Sequence, residues 1–542
     1  MTGKKQKRKH AELPAGGAGT RLRAMHSSFW ILLSVIVLFA VLRFRLRDAP
    51  LERDEGEYAY SGQLMLQGIP PYRVAYNMKL PGTYGAYAVI MAIFGENAAG
   101  IHIGLLLANA GTSLLVFALG RKIFGTVAGA FAGATYALLS AEPVMLGLAG
   151  HATHFVVCAA VAGIFVLWDA LESRRGWLFF ASGTLLGLAF LMKQPGIVFA
   201  LFAIALLAHQ WWSRPEARAG SMQRLLLLVS GMAWPFAVTC LILYAAGVFP
   251  SFWFWTFTYA RAYASRVPFS DGMMILRSTA ADIFFQNPAI WLICLGGVLA
   301  MFRSGVRKPD RFFLVTLSLF SFLGVCAGLS FRPHYFLLLL PAAALLAGVC
   351  VAAAIERLQN LKLGRAASLV PALVFVLACG FSLMRNQRFL FAADAATFCR
   401  RMYPNNPFLQ AQAIGEYLRS QTPPDARLAV FGSEPEIYFD AQRKSATGYI
   451  YTYSLMEDQP YAVKMQQEMI REVTETRPEY LVFVDNEFSW LWQAGPSRQG
   501  FFDWIQSYII SGYERAAEVS IARRSDHLLG DSSKIYVYRL KH

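Results

Sequence analysis

Long apolar runs are the feature that most limits what this chain can fold into. Between residues 27 and 383 they recur at lengths of roughly 16 to 22 residues, close to the roughly 20 that a helix needs to cross the hydrocarbon core of a bilayer. Inside a bilayer the backbone must satisfy its own hydrogen bonds, which favours helices. Charged residues make up only 15% of the chain, whereas soluble domains carry about a quarter. The predicted fold class is therefore mainly α, a polytopic membrane helix bundle.

The apolar runs give about 11 candidate spans. They are residues 28–46, 98–120, 125–141, 152–171, 177–192, 196–212, 225–246, 287–302, 312–330, 335–355 and 367–384. A further apolar stretch, residues 83–94, is only about 12 residues long and too short to cross comfortably. We predict that it lies at the outer membrane surface.

The composition divides the chain into three parts. Residues 1–26 are a basic tail, residues 27–390 are the membrane bundle with an outer loop at 48–97, and residues 395–542 have the composition of a soluble domain. In this last part helical patterns alternate with extended ones, which predicts a small α/β domain. The predicted helices are residues 408–420, 462–476 and 502–511, and the predicted strands are residues 427–431, 480–484 and 534–538.

The distribution of positive charge predicts the orientation. The net charge of +16 lies largely in the first 25 residues and in short loops between spans, which is the positive-inside pattern. If residues 83–94 do not cross, the basic loops fall on the side of the N-terminus. These loops hold Arg121, Lys122, Arg174, Arg175, Arg214, Arg218, Arg224, Arg303, Arg307, Lys308, Arg311, Arg357, Lys362 and Arg365. We therefore expect an inner-membrane protein with a cytoplasmic N-terminus and an extracytoplasmic C-terminal domain. The basic residues do not form the continuous basic face that nucleic-acid binding would need, so we expect no nucleic-acid partner.

Acidic residues follow the first span directly, in the stretch LERDEGEYAYSGQLMLQGIPPYR. Asp54 and Glu55 lie at the start of a predicted helix, residues 55–67. Asp54 with Glu57 three positions later also has the form of a helix capping box. Catalysis and capping are compatible, because a cap fixes the position of the carboxylate.

This acidic pair, followed by NMKLPGTYGAY, resembles the lipid-linked glycosyltransferases of the GT-C fold. The chain is most similar to the bacterial relatives of the dolichyl-phosphate-mannose protein mannosyltransferases, which include the aminoarabinose transferase acting on lipid A. The segments RKIFG, MKQPG and FRPHYFLLLLP extend the resemblance over the whole bundle. Their order and spacing carry the match, since no single motif is highly specific.

The resemblance implies a glycosyltransferase that uses a polyprenyl-phosphate monosaccharide as donor, in an inverting displacement. Asp54 would be the general base, with Glu55 beside it as a second catalytic carboxylate. The acceptor would be a glycan, a lipid or a protein side chain, and membrane lipids would surround the bundle. Chemically, a base must reach the acceptor hydroxyl and cations must stabilise the phosphate charge.

Lys79, in MKLPG, matches by the same resemblance a lysine that faces the carrier phosphate, and Tyr58 is a neighbouring candidate for substrate binding. The preceding residue is Met78, where the aminoarabinose transferases carry a glutamate associated with a metal. The resemblance therefore leaves a divalent metal possible and no cofactor certain. A lysine that extends its ammonium to the membrane interface is the alternative interpretation of Lys79.

Further polar residues lie at the predicted outer ends of spans. The candidates for substrate or phosphate binding are Glu142, Lys193, Arg332, His334 and Arg261. Charges at membrane depth cost at least about 2.5–3.5 kcal/mol, so they tend to mark function or to reach the interface. His151 and His154 are three residues apart and are weak candidates for a metal site. Interface anchoring and polar helix packing are the alternatives for these residues.

Two other classes of protein fit the same pattern. A polytopic lipid or solute transporter is one, although transporters tend to show repeated halves and broken helices near the midplane. A membrane-anchored binding protein with the C-terminal domain as receptor is the other, and it would leave the acidic pair without a role.

The predicted orientation can be measured with a reporter. An enzyme that is active only after export should work when fused after Leu383, because the basic loops hold the other side in the cytoplasm. A tag near Gly95 should react with an impermeant reagent from outside. Reporter activity confined to the cytoplasm would contradict this topology.

Overall fold

The computed structural model describes residues 18–213, 220–302, 306–361, 366–491, 496–521 and 533–541. Of the predicted basic tail, residues 1–26, residues 1–17 lie outside these ranges. Arg214, Arg218, Arg303, Lys362 and Arg365, which contribute to the predicted basic loops, also lie outside them.

Helices form the N-terminal two-thirds of the described chain. They are α1 (Ala18–Arg45), α2 (Arg53–Leu66), α3 (Gly82–Phe94), α4 (Ala98–Phe124), α5 (Thr126–Leu139), α6 (Ala152–Ser173), α7 (Gly176–Met192), α8 (Ile197–Ser213), α9 (Ser221–Ala245), α10 (Phe249–Trp253), α11 (Ala260–Ala264), α12 (Phe269–Gln286), α13 (Pro288–Ala300), α14 (Lys308–Val325), α15 (Leu340–Asn360) and α16 (Val370–Arg385). A π-helical turn, Phe254–Tyr259, joins α10 to α11, and short 3-10 turns precede α8 and α15. Every predicted span therefore coincides with a helix.

The chain is a multi-pass membrane protein, as predicted. Six segments among the described residues are long and apolar enough to cross a bilayer, and a seventh is possible where α12 and α13 meet at an angle of 106°. The six are Ala98–Phe124, Ala152–Ser173, Gln194–Ser213, Ser221–Ala245, Pro333–Asn360 and Ala367–Arg385. Helices α3, α5 and α7 are apolar but shorter. The number of about 11 spans stays a prediction.

Small residues let the helices of the bundle approach closely. A Cβ on Gly183 of α7 would overlap the backbone of Leu228 in α9, and one on Gly231 of α9 would overlap that of Phe180 in α7. Gly129 holds α5 against α4 in the same way. Membrane helices associate through such contacts because lipid supplies little hydrophobic driving force between them.

Helix α2 begins two residues earlier than the sequence predicts. Its N-cap is Glu52, whose side chain accepts from the Glu55 backbone N–H, while the Glu55 carboxylate accepts from the Glu52 N–H over 3.2 Å. The predicted capping box of Asp54 and Glu57 is therefore wrong. Because the helix already includes Arg53, Asp54 lies inside the first turn and its side chain is free for other contacts.

The C-terminal domain is the α/β domain that the sequence predicts. Its elements are α17 (Gln387–Leu390), α18 (Ala395–Met402), α19 (Phe408–Gln421), β1 (Arg427–Phe431), α20 (Glu436–Ala441), β2 (Lys444–Ser445), α21 (Tyr453–Met456), α22 (Ala462–Thr476), β3 (Tyr480–Asp485), α23 (Glu487–Trp490), α24 (Pro496–Gly512), β4 (Tyr513–Ser520) and β5 (Lys534–Leu540). The strands form one sheet in the order β2-β1-β3-β5-β4. Strand β1 runs parallel to β2 and β3, whereas β5 runs antiparallel to β3 and β4.

Contacts between this domain and the bundle lie on α2 and on the loops beside it. Arg53 donates to the Ser433 carbonyl over 2.5 Å and pairs with Glu434 over 2.9 Å. The Ser445 N–H donates to the Tyr60 hydroxyl over 2.8 Å. The C-terminal domain therefore lies against the start of α2, where the predicted catalytic residues are.

A second contact lies near α11. Glu457 of the C-terminal domain accepts a hydrogen bond from Tyr259 and pairs with Arg266, each over 2.6 Å. The two contacts together hold the domain over one end of the bundle.

Candidate active site

Lys79 joins two carboxylates at the start of α2. Its Nζ lies 2.8 Å from Oδ1 of Asp54 and 2.5 Å from Oε2 of Glu57, and the Tyr84 hydroxyl donates to the other Glu57 oxygen over 2.7 Å. Residues three apart on a helix share a face, which brings both carboxylates to one lysine. The Glu57 side chain is fully buried, whereas those of Lys79 and Asp54 are 15% and 21% exposed. The accessible part of the cluster is the pair of Asp54 and Lys79.

These contacts fix the charges of the pair. Burial by itself raises the pKa of Asp54, but the Lys79 ammonium and the nearby His151 imidazole hold that pKa well below its usual value. Burial lowers the pKa of Lys79, and Asp54 and Glu57 outweigh it, so this pKa lies well above its usual value. At neutral pH the pair is a carboxylate and an ammonium.

Two aromatic rings flank the Lys79 ammonium. Its Nζ lies 4.6 Å from the ring centroid of Tyr58, which is one turn after Asp54 on α2, and 5.8 Å from that of Tyr451 in the C-terminal domain. Tyr58 is 1% exposed, whereas Tyr451 is half-buried. The face of an aromatic ring attracts a cation, so both rings stabilise the lysine in this position.

Two histidines stack beside Asp54. His151 precedes α6 and His334 lies in the turn Pro333–Leu339; their rings are nearly parallel, with centroids 4.1 Å apart. Nδ1 of His151 lies 3.6 Å from Oδ2 of Asp54, and Nζ of Lys193 lies 3.4 Å from Nε2 of His334. Burial lowers the pKa of Lys193 to about 7. Asp54, His151, His334 and Lys193 therefore form one row, although Asp54 lies in the first turn of α2 and the other three come from different connections between helices.

Asp54, His151 and His334 could hold a metal ion. Their ligand atoms lie within 4.8 Å of one another. Three ring nitrogens, both of His151 and Nδ1 of His334, have no hydrogen-bond partner among the described residues. Buried polar atoms without partners are uncommon, and two histidines with one carboxylate are a frequent Zn²⁺ ligand set. Bonds of about 2.0–2.2 Å would need the side chains to close in slightly. The donor set fits a divalent ion.

Glu55 has other partners. Its Oε1 accepts from the Gly150 N–H over 2.5 Å and lies 3.1 Å from Nε2 of His102, on α4. These bonds tie α2 to α4 and to the residue before His151. The two carboxylates of the predicted catalytic pair thus face different groups: Asp54 faces Lys79 and His151, whereas Glu55 faces Gly150 and His102.

Glu142 and His154 lie in separate polar clusters. Glu142 accepts hydrogen bonds from Ser382 and Asn386, each over 3.0 Å, and burial raises its pKa to about 7. His154 lies on α6 with Nδ1 3.0 Å from the amide oxygen of Asn109 on α4. The two histidines predicted as weak metal candidates, His151 and His154, therefore lie in different environments. The histidine that lies beside His151 is His334.

The two arginine candidates differ in position. Arg332 immediately precedes the turn that carries His334. Burial lowers its pKa, but Tyr263, Tyr335 and Tyr451 raise it to a value above the usual one. Arg261 is exposed on α11. Arg332 therefore belongs to the polar surroundings of the site, whereas Arg261 lies on the exposed surface of α11.

The structure brings together part of the predicted set. The residues near Asp54 are Tyr58, Lys79, His151, Lys193, Arg332 and His334, and those in other environments are Glu55, Glu142, His154 and Arg261. The sequence did not single out Glu57 as a site residue, although its spacing from Asp54 was the available signal. Tyr84 and Tyr451 carry no sequence signal of their own, because only the folded chain brings Tyr84 to Glu57 and Tyr451 to Lys79.

Residues 81–234 match the family model described as dolichyl-phosphate-mannose-protein mannosyltransferase. The match contains His151 and Lys193, and Asp54 and Lys79 precede it. The undecaprenyl phosphate-alpha-4-amino-4-deoxy-L-arabinose arabinosyl transferase of Pseudomonas aeruginosa (strain LESB58) is 29% identical over 201 residues, which are 34% of this chain. The matched part covers only 36% of that relative.

Solved structures resemble the chain over much more of its length. ArnT from Cupriavidus metallidurans bound to undecaprenyl phosphate superposes with a TM-score of 0.55 and 15% identity, covering 94% of this chain and 97% of that one. The oligosaccharyltransferase of Archaeoglobus fulgidus tethered with an acceptor peptide gives a TM-score of 0.52 and 14% identity, covering 84% and 69%. These likenesses confirm the predicted GT-C fold, a polytopic helix bundle with a C-terminal domain. The family model and the Pseudomonas relative confirm the resemblance from which that fold was inferred.

The metal-binding set can be tested by substitution. We expect the purified protein to bind about one Zn²⁺ per chain, and His151→Ala to weaken binding at least about a hundredfold, since even outer partners of metal ligands are worth 10- to 100-fold. Isothermal titration calorimetry on apo protein measures this. His154→Gln is the control and should keep wild-type affinity. Equal zinc affinity in His151→Ala and wild type would contradict the ligand set.

Proposed function

We propose that this protein is a membrane glycosyltransferase that transfers a monosaccharide from a polyprenyl-phosphate carrier to an extracytoplasmic acceptor. The observation that carries the proposal is the ion pair of Lys79 and Asp54, in which a cation able to bind phosphate lies 2.8 Å from a carboxylate able to accept a proton. The name of the Pseudomonas relative specifies an undecaprenyl-phosphate sugar, and the Cupriavidus structure holds undecaprenyl phosphate. Both support the same class of donor for this chain.

Binding of the donor phosphate would use Lys79 first. The phosphodiester of a sugar-loaded carrier is an anion, and the charge on the carrier phosphate grows as the bond to the sugar breaks. Cations fixed beside that oxygen stabilise the developing charge. Lys193 and Arg332 lie close enough to the same row of residues to add to this field, and phosphate binding would favour the charged form of Lys193.

Donor binding would also change Asp54. A phosphate that draws Lys79 towards itself weakens the ion pair, and the loss of the neighbouring cation raises the basicity of the carboxylate. Asp54 would then accept the proton of the acceptor nucleophile as it attacks the anomeric carbon. The bond from that carbon to the phosphate oxygen breaks at the same time, its electrons leave with the carrier phosphate, and the configuration at the carbon inverts.

In this mechanism Glu55 would be a positioning residue that holds the start of α2 in place. Its carboxylate holds the Gly150 N–H and the His102 ring, so it fixes the start of α2 relative to His151. Glu142 ties the turn before α6 to α16 and would serve the same end.

The acceptor would be a glycan, a lipid or a protein side chain that approaches from the extracytoplasmic side. All the clustered groups lie at the end of the bundle that carries the C-terminal domain. With the N-terminus in the cytoplasm, as the charge distribution predicts, this end faces outward from the inner membrane.

The role of Asp54 can be separated from a structural one. Asp54→Asn keeps the size of the side chain and removes the proton acceptor, and general-base loss costs about 10² to 10⁴ in rate. We expect the variant to be extracted in folded form and to transfer sugar at least about a hundredfold more slowly. Asp271→Asn is the matched control, because Asp271 also lies in the first turn of a helix, α12.

Transfer of radiolabelled sugar in detergent-purified protein measures both variants. Wild-type rates in Asp54→Asn, with Glu55→Gln inactive instead, would move the base to the neighbouring carboxylate. Wild-type rates in both variants would remove this loop from the chemistry.

Lys79 should control carrier affinity. Hydrogen bonds to charged groups contribute about 1.5–3 kcal/mol, so we expect Lys79→Ala to weaken binding of undecaprenyl phosphate at least about tenfold. Lys79→Arg retains the cation and should lose less. Carrier binding and thermal unfolding measured on the same preparations separate affinity from folding. Unchanged carrier affinity and turnover in Lys79→Ala would exclude the phosphate role.

A further inference from the structure

One segment of the C-terminal domain reaches the candidate site. It runs from Ala446 to Thr452, between β2 and α21. Its residues up to Ile450 are buried, as is Thr452, and Tyr451 alone among them is half-buried. Tyr449 of the same segment packs its ring against Trp255 and Tyr76 and is buried. Tyr451 is therefore the aromatic side chain of this segment that keeps an accessible part.

The segment is fixed within its own domain. Glu472 accepts from the Thr447 hydroxyl over 2.6 Å and from the Gly448 N–H over 2.9 Å. After Tyr451, the Thr452 N–H donates to the Ser433 hydroxyl over 3.1 Å. Because these bonds lie before and after Tyr451, the position of its ring is set by the fold of the domain.

The segment is also fixed to the first outer loop. The Tyr76 N–H donates to the Gly448 carbonyl over 2.7 Å. The Tyr76 ring lies so close to Gly448 that a Cβ there would overlap it. Tyr76 precedes Lys79 by three residues, so the same stretch of loop positions both Lys79 and the segment that carries Tyr451.

The Tyr451 ring lies beside the lysine that would hold the carrier phosphate. Its centroid is 5.8 Å from Nζ of Lys79 and 4.8 Å from the ring centroid of Tyr453. It is near enough to Arg332 to contribute to the raised pKa of that guanidinium. A sugar is bonded directly to the carrier phosphate, so a phosphate held by Lys79 would bring the sugar close to the Tyr451 ring.

We propose that Tyr451 is a donor-sugar-binding residue, and that its ring packs against the apolar C–H face of the monosaccharide on the carrier; this rests on the proposed function. A sugar ring presents C–H groups on its faces and hydroxyls around its rim. A flat aromatic side chain contacts such a face over a large area at low conformational cost. Tyr451 thereby gives the C-terminal domain a part in the selection of the sugar.

The neighbouring tyrosines, Tyr58 and Tyr453, already make other contacts or are buried. Tyr58 is 1% exposed, so its ring faces are covered. Tyr453 donates its hydroxyl to the Phe488 carbonyl, and the Arg53 guanidinium lies 5.5 Å from its ring centroid. Tyr453 is half-buried as Tyr451 is, but its hydroxyl is already hydrogen-bonded. Of the two described tyrosines whose rings flank Lys79, Tyr58 and Tyr451, only Tyr451 is partly exposed.

The test compares binding of the sugar with binding of the carrier. Wild type, Tyr451→Leu and Tyr451→Phe are titrated with bare undecaprenyl phosphate and with the same carrier loaded with aminoarabinose, mannose, glucose or galactose. The loaded carrier that wild type binds most tightly is then used for all proteins. We expect Tyr451→Leu to lose about two- to tenfold in affinity for the loaded carrier. Its affinity for bare carrier should not change, and Tyr451→Phe should behave like wild type.

Tyr538→Leu is the matched control, since Tyr538 is a half-buried tyrosine on β5 of the same domain. An equal loss for bare and loaded carrier in Tyr451→Leu would overturn the inference, because the ring would then act on Lys79 or the phosphate. Unchanged affinity for the loaded carrier would overturn it as well. The proposed function fails in a different way, if wild type binds no bare carrier or if Lys79→Ala binds it as wild type does.

Discussion

Lys79, held between Asp54 and Glu57, is the interaction on which the arrangement of the site depends. Placing these charges out of water is costly, and their mutual attraction offsets that cost only with close geometry. The distances of 2.8 and 2.5 Å meet this condition. Removing the lysine would leave two carboxylates together in a largely buried place. Only another cation can replace what Lys79 contributes to the carboxylates. Only another anion can replace the carboxylates as partners of Lys79, which favours an anionic ligand over a neutral one.

The first turn of α2 distributes three charges to three parts of the molecule. Successive residues on a helix point in directions about 100° apart, so Arg53, Asp54 and Glu55 face different neighbours. Arg53 pairs with Glu434 of the C-terminal domain, Asp54 with Lys79 of the outer loop, and Glu55 with the turn before α6. The capping box of Glu52 and Glu55 fixes where this turn begins. Domain, loop and bundle are thus aligned by one short segment.

Local pattern was enough to predict most elements. Apolar runs located the helices of the bundle, and buried apolar stretches located β1, β3 and β5 to within a few residues. The two missed strands gave weak signals: β2 has two residues, and β4, Tyr513–Ser520, is a mostly exposed edge strand with three charged side chains. The capping box was assigned two residues too late because either pair of acidic residues fits the motif, and only the backbone distinguishes them.

The candidate site was predictable only where its residues lie close together in sequence. Spacing brought Asp54 and Glu57 together, and the resemblance added Lys79. The stacking of His151 on His334 depends on how α6 packs against α15 and its preceding turn. The pairing of Arg53 with Glu434 joins residues separated by 381 positions. No local pattern encodes either contact, and the same is true of Tyr451.

The proposed reaction and the short distance between Lys79 and Asp54 together limit which group can hold the phosphate during transfer. An inverting displacement needs the base and the leaving phosphate on opposite faces of the sugar. The acceptor oxygen must lie about 2.6–3.2 Å from the base and about 3–3.5 Å from the carbon that it attacks. Asp54 and the cation that holds the phosphate must therefore be several ångströms further apart during the reaction than the 2.8 Å of the ion pair. It follows that Lys79 moves with the phosphate, or that Lys193 and Arg332 take over the phosphate while Lys79 releases the carboxylate. In either case the proposed reaction makes the closed pair a resting state, and binding of the donor would be what converts Asp54 into a base.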